Sequence, residues 1–351
     1  MNSTLQIDQR LIGLDSPPFV IAEMSGNHNQ SLEKALRIVD AAAEAGAHAL
    51  KLQTYKPETI TIDFDGEGFQ IKDPQSLWAG NNLFSLYKQA QTPWEWHESI
   101  FNRAKEKGMI CFSSPFDETA IDFLEEINAP AYKIASFENN HLPLIEKAAS
   151  TGKPLIISTG MASLGELEKA VLTARNAGCK DLILLKCTST YPASPENTNI
   201  RTISHLRELF DCEVGISDHT MGIGVSVSAV ALGATVIEKH FTLSRSEGGV
   251  DSAFSLEPEE FKSLVIESLR AWQSLGTVKY GPTEAEKKSL IFRRSIYAVE
   301  NIEKGEVFTK ENIRIIRPNL GSEPYLYSRF IGRKSRKRIT KGTPILLEDL
   351  S

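Results

Sequence analysis

The sequence predicts a (β/α)8 barrel, an α/β fold, followed by a small β-rich module. Three observations lead there. Short apolar, β-branched segments alternate with amphipathic helical stretches from Phe19 onward, the pattern of parallel βα units. The count reaches eight of each, which closes a barrel rather than an open doubly wound sheet. After Leu275 the texture changes to Gly281, Pro282 and a charged stretch at 284–288.

The first strand is read at 19–25 and the first helix at 31–45, with Ser31 as N-cap and Gly46 as the stop. The remaining strands are expected at 49–55, 110–116, 132–136, 155–160, 182–188, 213–219 and 236–241. Helices separate them. Over 164–176, Leu167, Ala170, Val171 and Ala174 share one face, and the last barrel helix spans 258–275. One connection, 56–92, has 37 residues without a clear period. Loops that long are usually functional lids or disordered, and this one follows a strand, on the face where barrels keep their active sites. The domain reading is a barrel over 1–280, a linker over 281–290 and a compact module over 291–351. Within the module, 301–313 (NIEKGEVFTKENI) aligns with 338–350 (RITKGTPILLEDL) at a constant offset of 37, suggesting two duplicated strand-turn units.

Composition removes several classes. The 351 residues carry 39 Lys and Arg against 45 Asp and Glu, a net charge of −6, which argues against a polyanionic partner such as nucleic acid or an anionic membrane. The run RKSRKR at 333–338 lacks interleaved aromatics and reads as a solvated face. Residues 1–10 lack the basic start and apolar core of a secretory signal, and no apolar run approaches the roughly 18 residues of a membrane span. Cys111, Cys179, Cys187 and Cys212, without CxxC spacing, read as reduced thiols. The expectation is a cytoplasmic protein.

Catalytic groups of a barrel come from the C-terminal ends of different strands. Those ends supply Glu23, Ser25, Asn27 and His28; Lys51 and Gln53, which share a face; Ser113 and Ser114; Lys133, Ser136 and Glu138; Ser158 and Thr159; Lys186, Thr188 and Tyr191; Ser217, Asp218 and His219; and Glu238 and His240. Lysines and hydroxyls converging in an apolar barrel imply a bound anion such as phosphate or carboxylate. His219 and His240 end neighbouring strands, which lie about 4.8 Å apart. Two imidazoles there suit one divalent metal with open positions for substrate, with Glu23 completing the rim directly or through water.

At these residues the chain resembles the sialic acid synthase family. The matching motifs are IAEMSGNHN (21–29), LKLQTY (50–55), CFSSPF (111–116), AYKIASFE (131–138), ISTGMAS (157–163), LKCTSTYP (185–192), GISDHT (215–220) and IEKHF (237–241), with KGE (304–306) and IRP (316–318) matching the antifreeze-like (SAF) domain. Within the family, TPWEWH (92–97), CFSSPF, KIASFE and CTSTYP are most similar to pseudaminic acid synthases, whereas Asn139 and Asn140 resemble the neuraminic acid branch. The resemblance implies a carbon–carbon bond-forming transferase. It condenses phosphoenolpyruvate with 2,4-diacetamido-2,4,6-trideoxy-L-altrose, or in the alternative with ManNAc or 2,4-diacetamido-2,4,6-trideoxymannose. It further implies Mn2+, with Co2+ or Mg2+ as alternatives, on His219 and His240. By the same resemblance, Lys51, Ser114, Lys133, Ser136, Ser158, Ser217 and Tyr191 hold phosphoenolpyruvate, while Gln53, Asp251 and Arg317 address the sugar. Glu23 is the expected base and Glu138 a second acid/base. The family works as a domain-swapped homodimer, which would make Arg317 act in trans. The rival of another class is a Schiff-base aldolase using Lys133 or Lys186.

Overall fold

The computed structural model describes residues 5–351. A hairpin, β1 (Leu5–Ile7) and β2 (Arg10–Ile12), precedes β3 (Phe19–Glu23), α1 (Leu32–Glu44), β4 (Ala49–Thr54), α2 (Pro57–Ile60), α3 (Leu83–Ala90), α4 (His97–Glu106), β5 (Ile110–Pro115), α5 (Glu118–Glu126), β6 (Tyr132–Ile134) and α6 (Leu142–Ser150). The unit continues with β7 (Leu155–Ser158), α7 (Leu164–Asn176), β8 (Leu182–Cys187), α8 (Thr202–Phe210), β9 (Glu213–Asp218), α9 (Gly224–Ala231), β10 (Val236–His240) and α10 (Pro258–Leu275). Strands β3 to β10 form a closed parallel barrel in chain order, β10 pairing with β3. Caps fix the helix starts: Ser31 accepts from the Lys34 amide before α1, and Ser163 with Glu166 forms a capping box before α7.

Side chains alternate along each strand, so one parity faces the lumen. Phe19, Ile21, Ala49, Phe112, Ala131, Ile156, Ile183, Leu185 and Val236 form one apolar cluster with Leu5, Ile7 and Ile12 of the hairpin. The hairpin therefore plugs the N-terminal end of the barrel with apolar side chains. Keeping the same parity toward the C-terminal ends brings in Glu23, Lys51, Gln53, Ser114, Lys133, Ser158, Cys187, Ser217, Glu238 and His240. The opposite parity packs against the helices, and there Lys239 pairs with Asp218 at 2.8 Å, both side chains fully buried.

Two differences from the sequence reading stand out. The hairpin was not foreseen, because strands of three residues carry no measurable period. The 56–92 connection contains two short helices, α2 opened by Pro57 and α3 with Leu86 and Ala90 buried. It also reaches the barrel mouth: Trp78 Nε1 donates to the Val250 carbonyl at 2.8 Å, and its ring meets Tyr191.

The chain divides after Gly276 into two compact units, the second running from Thr277 to Ser351. The stretch 281–290 thus falls in the second unit, whose regular elements are β11 (Ser295–Ala298), β12 (Ile313–Ile316) and α11 (Tyr327–Phe330). The duplication is structural. Ile302 and Ile339, 37 residues apart, pair with each other, each amide donating to the other's carbonyl. Gly305 donates to Ser335 and Gly342 to Ala298, the same bond with the two halves exchanged. Both glycines sit at positive φ, 85° and 86°, which a two-fold repeated turn requires. Phe308 and Ile345 occupy equivalent core positions.

Candidate active site

The C-terminal tier of the lumen is a buried charge network. Lys51 Nζ lies 2.8 Å from Glu23 Oε2 and 3.6 Å from Glu238 Oε2, while Lys133 Nζ lies 3.3 Å from Glu238 Oε1. Strand register dictates this closeness: Glu23 is the cross-strand partner of both Lys51 and His240, and Glu238 that of Ser217. Burial pushes the Glu23 carboxyl up and the neighbouring Glu238 charge adds to it, so Glu23 is the more basic carboxylate. Burial also works against the Glu238 charge, yet Lys133 and Lys51 pull that group down to about 2. For Lys51, burial is outweighed by the two carboxylates, which hold it above its usual range; for Lys133 burial prevails and lowers it. Two cations face two anions. Such a set is neutral, so an anion entering it needs further positive charge from a proton or a cation.

Hydroxyls surround the lysines. Ser114 Oγ accepts from Lys51 Nζ at 3.1 Å, and Ser217 donates to Glu238 at 2.9 Å. Ser136 Oγ accepts from the Gly160 amide at 3.2 Å, while Ser158 Oγ is buried with no hydrogen-bond partner among the described residues. A Cβ on Gly160 would lie 2.2 Å from Ser189 Oγ and 2.6 Å from Ser136 Oγ, so glycine is what lets these hydroxyls converge. A buried hydroxyl without a partner, in the lumen tier that also holds two lysines, is a place for an acceptor-rich ligand.

The two histidines meet at the mouth with ring centres 5.3 Å apart. Metal–nitrogen bonds of about 2.1 Å let one ion bridge rings at that separation. His219 Nδ1 donates to the Thr188 carbonyl at 3.0 Å, which fixes the ring and leaves Nε2 available, the second-shell pattern of a metal-ligating histidine. Burial holds His240 well below its usual value and hence neutral, and its Nδ1 is buried without a hydrogen-bond partner among the described residues. Among the described residues no third His, Cys, Asp or Glu completes a protein-only cage. The donor set fits a divalent cation that keeps positions open for ligand oxygens.

Beside the histidines, Asp251 Oδ2 lies 3.7 Å from His240 Nδ1 and accepts a hydrogen bond from Ser25. Gln53 Nε2 donates to Glu23 Oε1 at 2.9 Å. The Tyr191 ring packs 4.5 Å from His219 and 5.3 Å from Phe254, walling the mouth. Glu138 follows β6 in a half-buried turn; burial raises its carboxyl to about 7, and its Oε2 has no partner. Arg317 belongs to the second unit, exposed, one residue past β12.

Lys186 corrects the sequence reading, which grouped it with the strand-end lysines. It precedes Cys187, the lumen-facing position of β8, so it points outward and donates to the Cys187 carbonyl at 2.8 Å. Of the two lysines considered for a Schiff base, only Lys133 is in the lumen, and it is paired with Glu238. Conversely, Glu238 was noted at its strand end without a role, yet it joins both lysines. Lumen parity and the adjoining His240 were the available signal. Cys187 is a free, buried thiol, as the sequence reading expects. Although burial opposes ionisation, His219 pulls it down to about 6, with Sγ 3.8 Å from Nδ1.

Comparison with known proteins shows the family and the fold. The NeuB family model matches residues 38–280, and the SAF domain model matches 293–351. A pseudaminic acid synthase of Campylobacter jejuni subsp. jejuni (serotype O:23/36, strain 81-176) is 45% identical over 95% of this chain and 97% of its own. That of Helicobacter pylori (strain ATCC 700392 / 26695) is 42% identical over 95% of this chain and 98% of its own. The crystal structure of N-acetylneuraminic acid synthetase from Leptospira borgpetersenii serovar Hardjo-bovis, in complex with citrate, superimposes with a TM-score of 0.73 at 34% identity. It covers 82% of this chain and 95% of that one.

Proposed function

Because the chain belongs to the NeuB family and ends in a SAF domain, we propose that it makes pseudaminic acid from phosphoenolpyruvate, water and 2,4-diacetamido-2,4,6-trideoxy-L-altrose, releasing phosphate. The observation that carries the chemistry is the pair of lumen lysines, Lys51 and Lys133, in one tier with serine hydroxyls at the strand ends, Ser114 bonded to Lys51. That set suits a small molecule bearing both phosphate and carboxylate.

Bond formation joins C3 of phosphoenolpyruvate to the aldehyde C1 of the open-chain sugar. Lys51 and Lys133 hold the phosphate and carboxylate so that C3 faces the aldehyde, an orienting role. Ser114, Ser136, Ser158 and Ser217 complete the anion's hydrogen bonds. A divalent metal on His219 and His240, Mn2+ or in its place Co2+ or Mg2+, supplies charge withdrawal from the aldehyde carbonyl when bound. As the new bond forms, positive charge develops at C2, and the aldehyde oxygen takes a proton to become a hydroxyl, with Glu138, raised by burial, as the donor. Glu23, whose carboxyl is raised by burial, takes the proton from the water that adds there. The tetrahedral intermediate then expels phosphate by cleavage of its C2–O bond. Gln53 and Asp251 orient the sugar, Tyr191 walls the pocket, and Glu138 serves as a second proton carrier. Metal ligation is tested by metal content: His240→Ala protein that retains the wild-type complement overturns it.

The assembly reading is a domain-swapped homodimer in which Arg317 serves the partner's barrel. Opposite charges support it: sixteen Lys and Arg against nine Asp and Glu from Thr277 on, and 23 against 36 before it. Mixed His219→Ala and Arg317→Ala chains should regain activity, and confirmed heterodimers that stay inactive contradict the swap.

Phosphoenolpyruvate labelled with 18O in the C–O–P bridge tests the chemistry. Label recovered in the released phosphate is expected. Label retained in the sugar acid refutes C–O cleavage.

A further inference from the structure

Ser25 stands between the two barrel residues assigned to the sugar. Its hydroxyl accepts from Gln53 Nε2 at 3.2 Å and donates to Asp251 Oδ2, a residue 226 positions away in sequence. The side chain is buried, 2% exposed, so both bonds form out of water. Its backbone is left-handed, φ 48°, a region that serine occupies rarely and glycine freely. A glycine would satisfy the backbone better but could make neither bond. The neighbouring loop is braced separately: Asn27 Nδ2 donates to the Phe241 carbonyl and to Ser255 Oγ, each at 2.9 Å, and the Asp251 amide donates to Asn27 Oδ1 at 3.3 Å. Asn27 thus holds the backbone of the Asp251 loop, and Ser25 alone ties the Asp251 carboxylate to Gln53 and, through Gln53, to Glu23.

We propose that Ser25 is a positioning residue for the acetamido sugar, fixing the Asp251 carboxylate and the Gln53 amide in one orientation before the sugar binds. This rests on the reading of Gln53 and Asp251 as sugar-facing groups. A hydroxyl in a left-handed turn costs backbone freedom and gains pre-organisation of two recognition groups at once. The lysines and serines that hold phosphoenolpyruvate make no direct bond to Ser25, whose side-chain partners are Gln53 and Asp251.

Steady-state kinetics of Ser25→Gly test it, since glycine suits the turn and keeps the fold. The expected result is a sugar KM raised about tenfold and a phosphoenolpyruvate KM within twofold of wild type, with the unfolding temperature lowered by only a few degrees, since relief of the left-handed turn offsets part of the two lost hydrogen bonds. In an Asp251→Asn background the same substitution should raise the sugar KM much less, because the acceptor it serves has already been altered. A role confined to folding would lower the unfolding temperature and leave the two KM values unchanged or moved together, and overturns the proposal. So does an unchanged sugar KM in Ser25→Gly beside a raised one in Asp251→Asn. An unchanged sugar KM in both variants overturns the assignment of Asp251 to the sugar, and the proposal with it.

Discussion

Replacing Glu238 with glutamine removes the carboxylate that Lys51 and Lys133 share while keeping its shape. The two contacts, 3.6 and 3.3 Å, are each worth about 5 kcal/mol of attraction at an effective dielectric of about 20, before desolvation is subtracted. Lys51 retains Glu23 at 2.8 Å, but Lys133 has no other carboxylate within ion-pair distance among the described residues. The loss is bounded, because Lys133 can shed its proton; from an ordinary lysine pKa to pH 7 that costs at most about 5 kcal/mol. Breaking a buried pair by removing one partner typically costs about 3–5 kcal/mol, within that bound. For a barrel of this size each kcal/mol moves the midpoint by about 2–4 °C, so a fall of about 10 °C is expected. Inorganic phosphate should recover more of that fall in the variant than it adds to wild type, because it restores the missing negative charge to the lysines. Thermal unfolding with and without phosphate measures both. A Glu238→Gln protein that melts within 2 °C of wild type, with an equal gain from phosphate, refutes the charge network as described.

Glu138, raised to about 7 by burial, is protonated below that pH and ionised above it. The folded state holds this proton more tightly than the unfolded chain, so its contribution to stability is full at low pH and lost as pH rises from about 4.3 through 7. An inflection near pH 7 in the kcat profile should vanish in Glu138→Gln; its persistence removes Glu138 from proton transfer. Gly160→Ala drives a methyl group into the hydroxyls of Ser189 and Ser136. The KM for phosphoenolpyruvate should rise more than tenfold while the sugar KM changes little, and equal shifts in the two values would count against a phosphate-holding role for this turn.

Much of this was legible because a barrel repeats two simple rules. Each predicted strand overlaps an observed one and differs by at most two residues at its C-terminal end, since apolar runs bounded by turn residues mark buried parallel strands. Once parity along a strand is known, Lys51 with Gln53, or Glu238 with His240, must share the lumen. The same rule places Lys186 outside, because it is out of phase with Ile183 and Leu185. What the sequence did not disclose depends on closure. That Glu238 binds lysines from β4 and β6 follows from the register joining β10 to β3, which no local pattern encodes. The left-handed turn at Ser25 carries no glycine to announce it, and its partner Asp251 is fixed only by tertiary packing. The SAF module's repeat was visible as an offset, but the pairing of its halves through Ile302 and Ile339 was not.

The central claim is the identity of the reaction and of its sugar. Phosphate release is the direct measurement, with phosphoenolpyruvate, Mn2+ and, side by side, the 2,4-diacetamido-2,4,6-trideoxy sugars of L-altro and manno configuration and ManNAc. Stoichiometric phosphate and a nine-carbon keto acid are expected with the L-altro sugar, at a kcat/KM well above the other two. Faster turnover of either manno sugar, or phosphate release with none of the three, contradicts it.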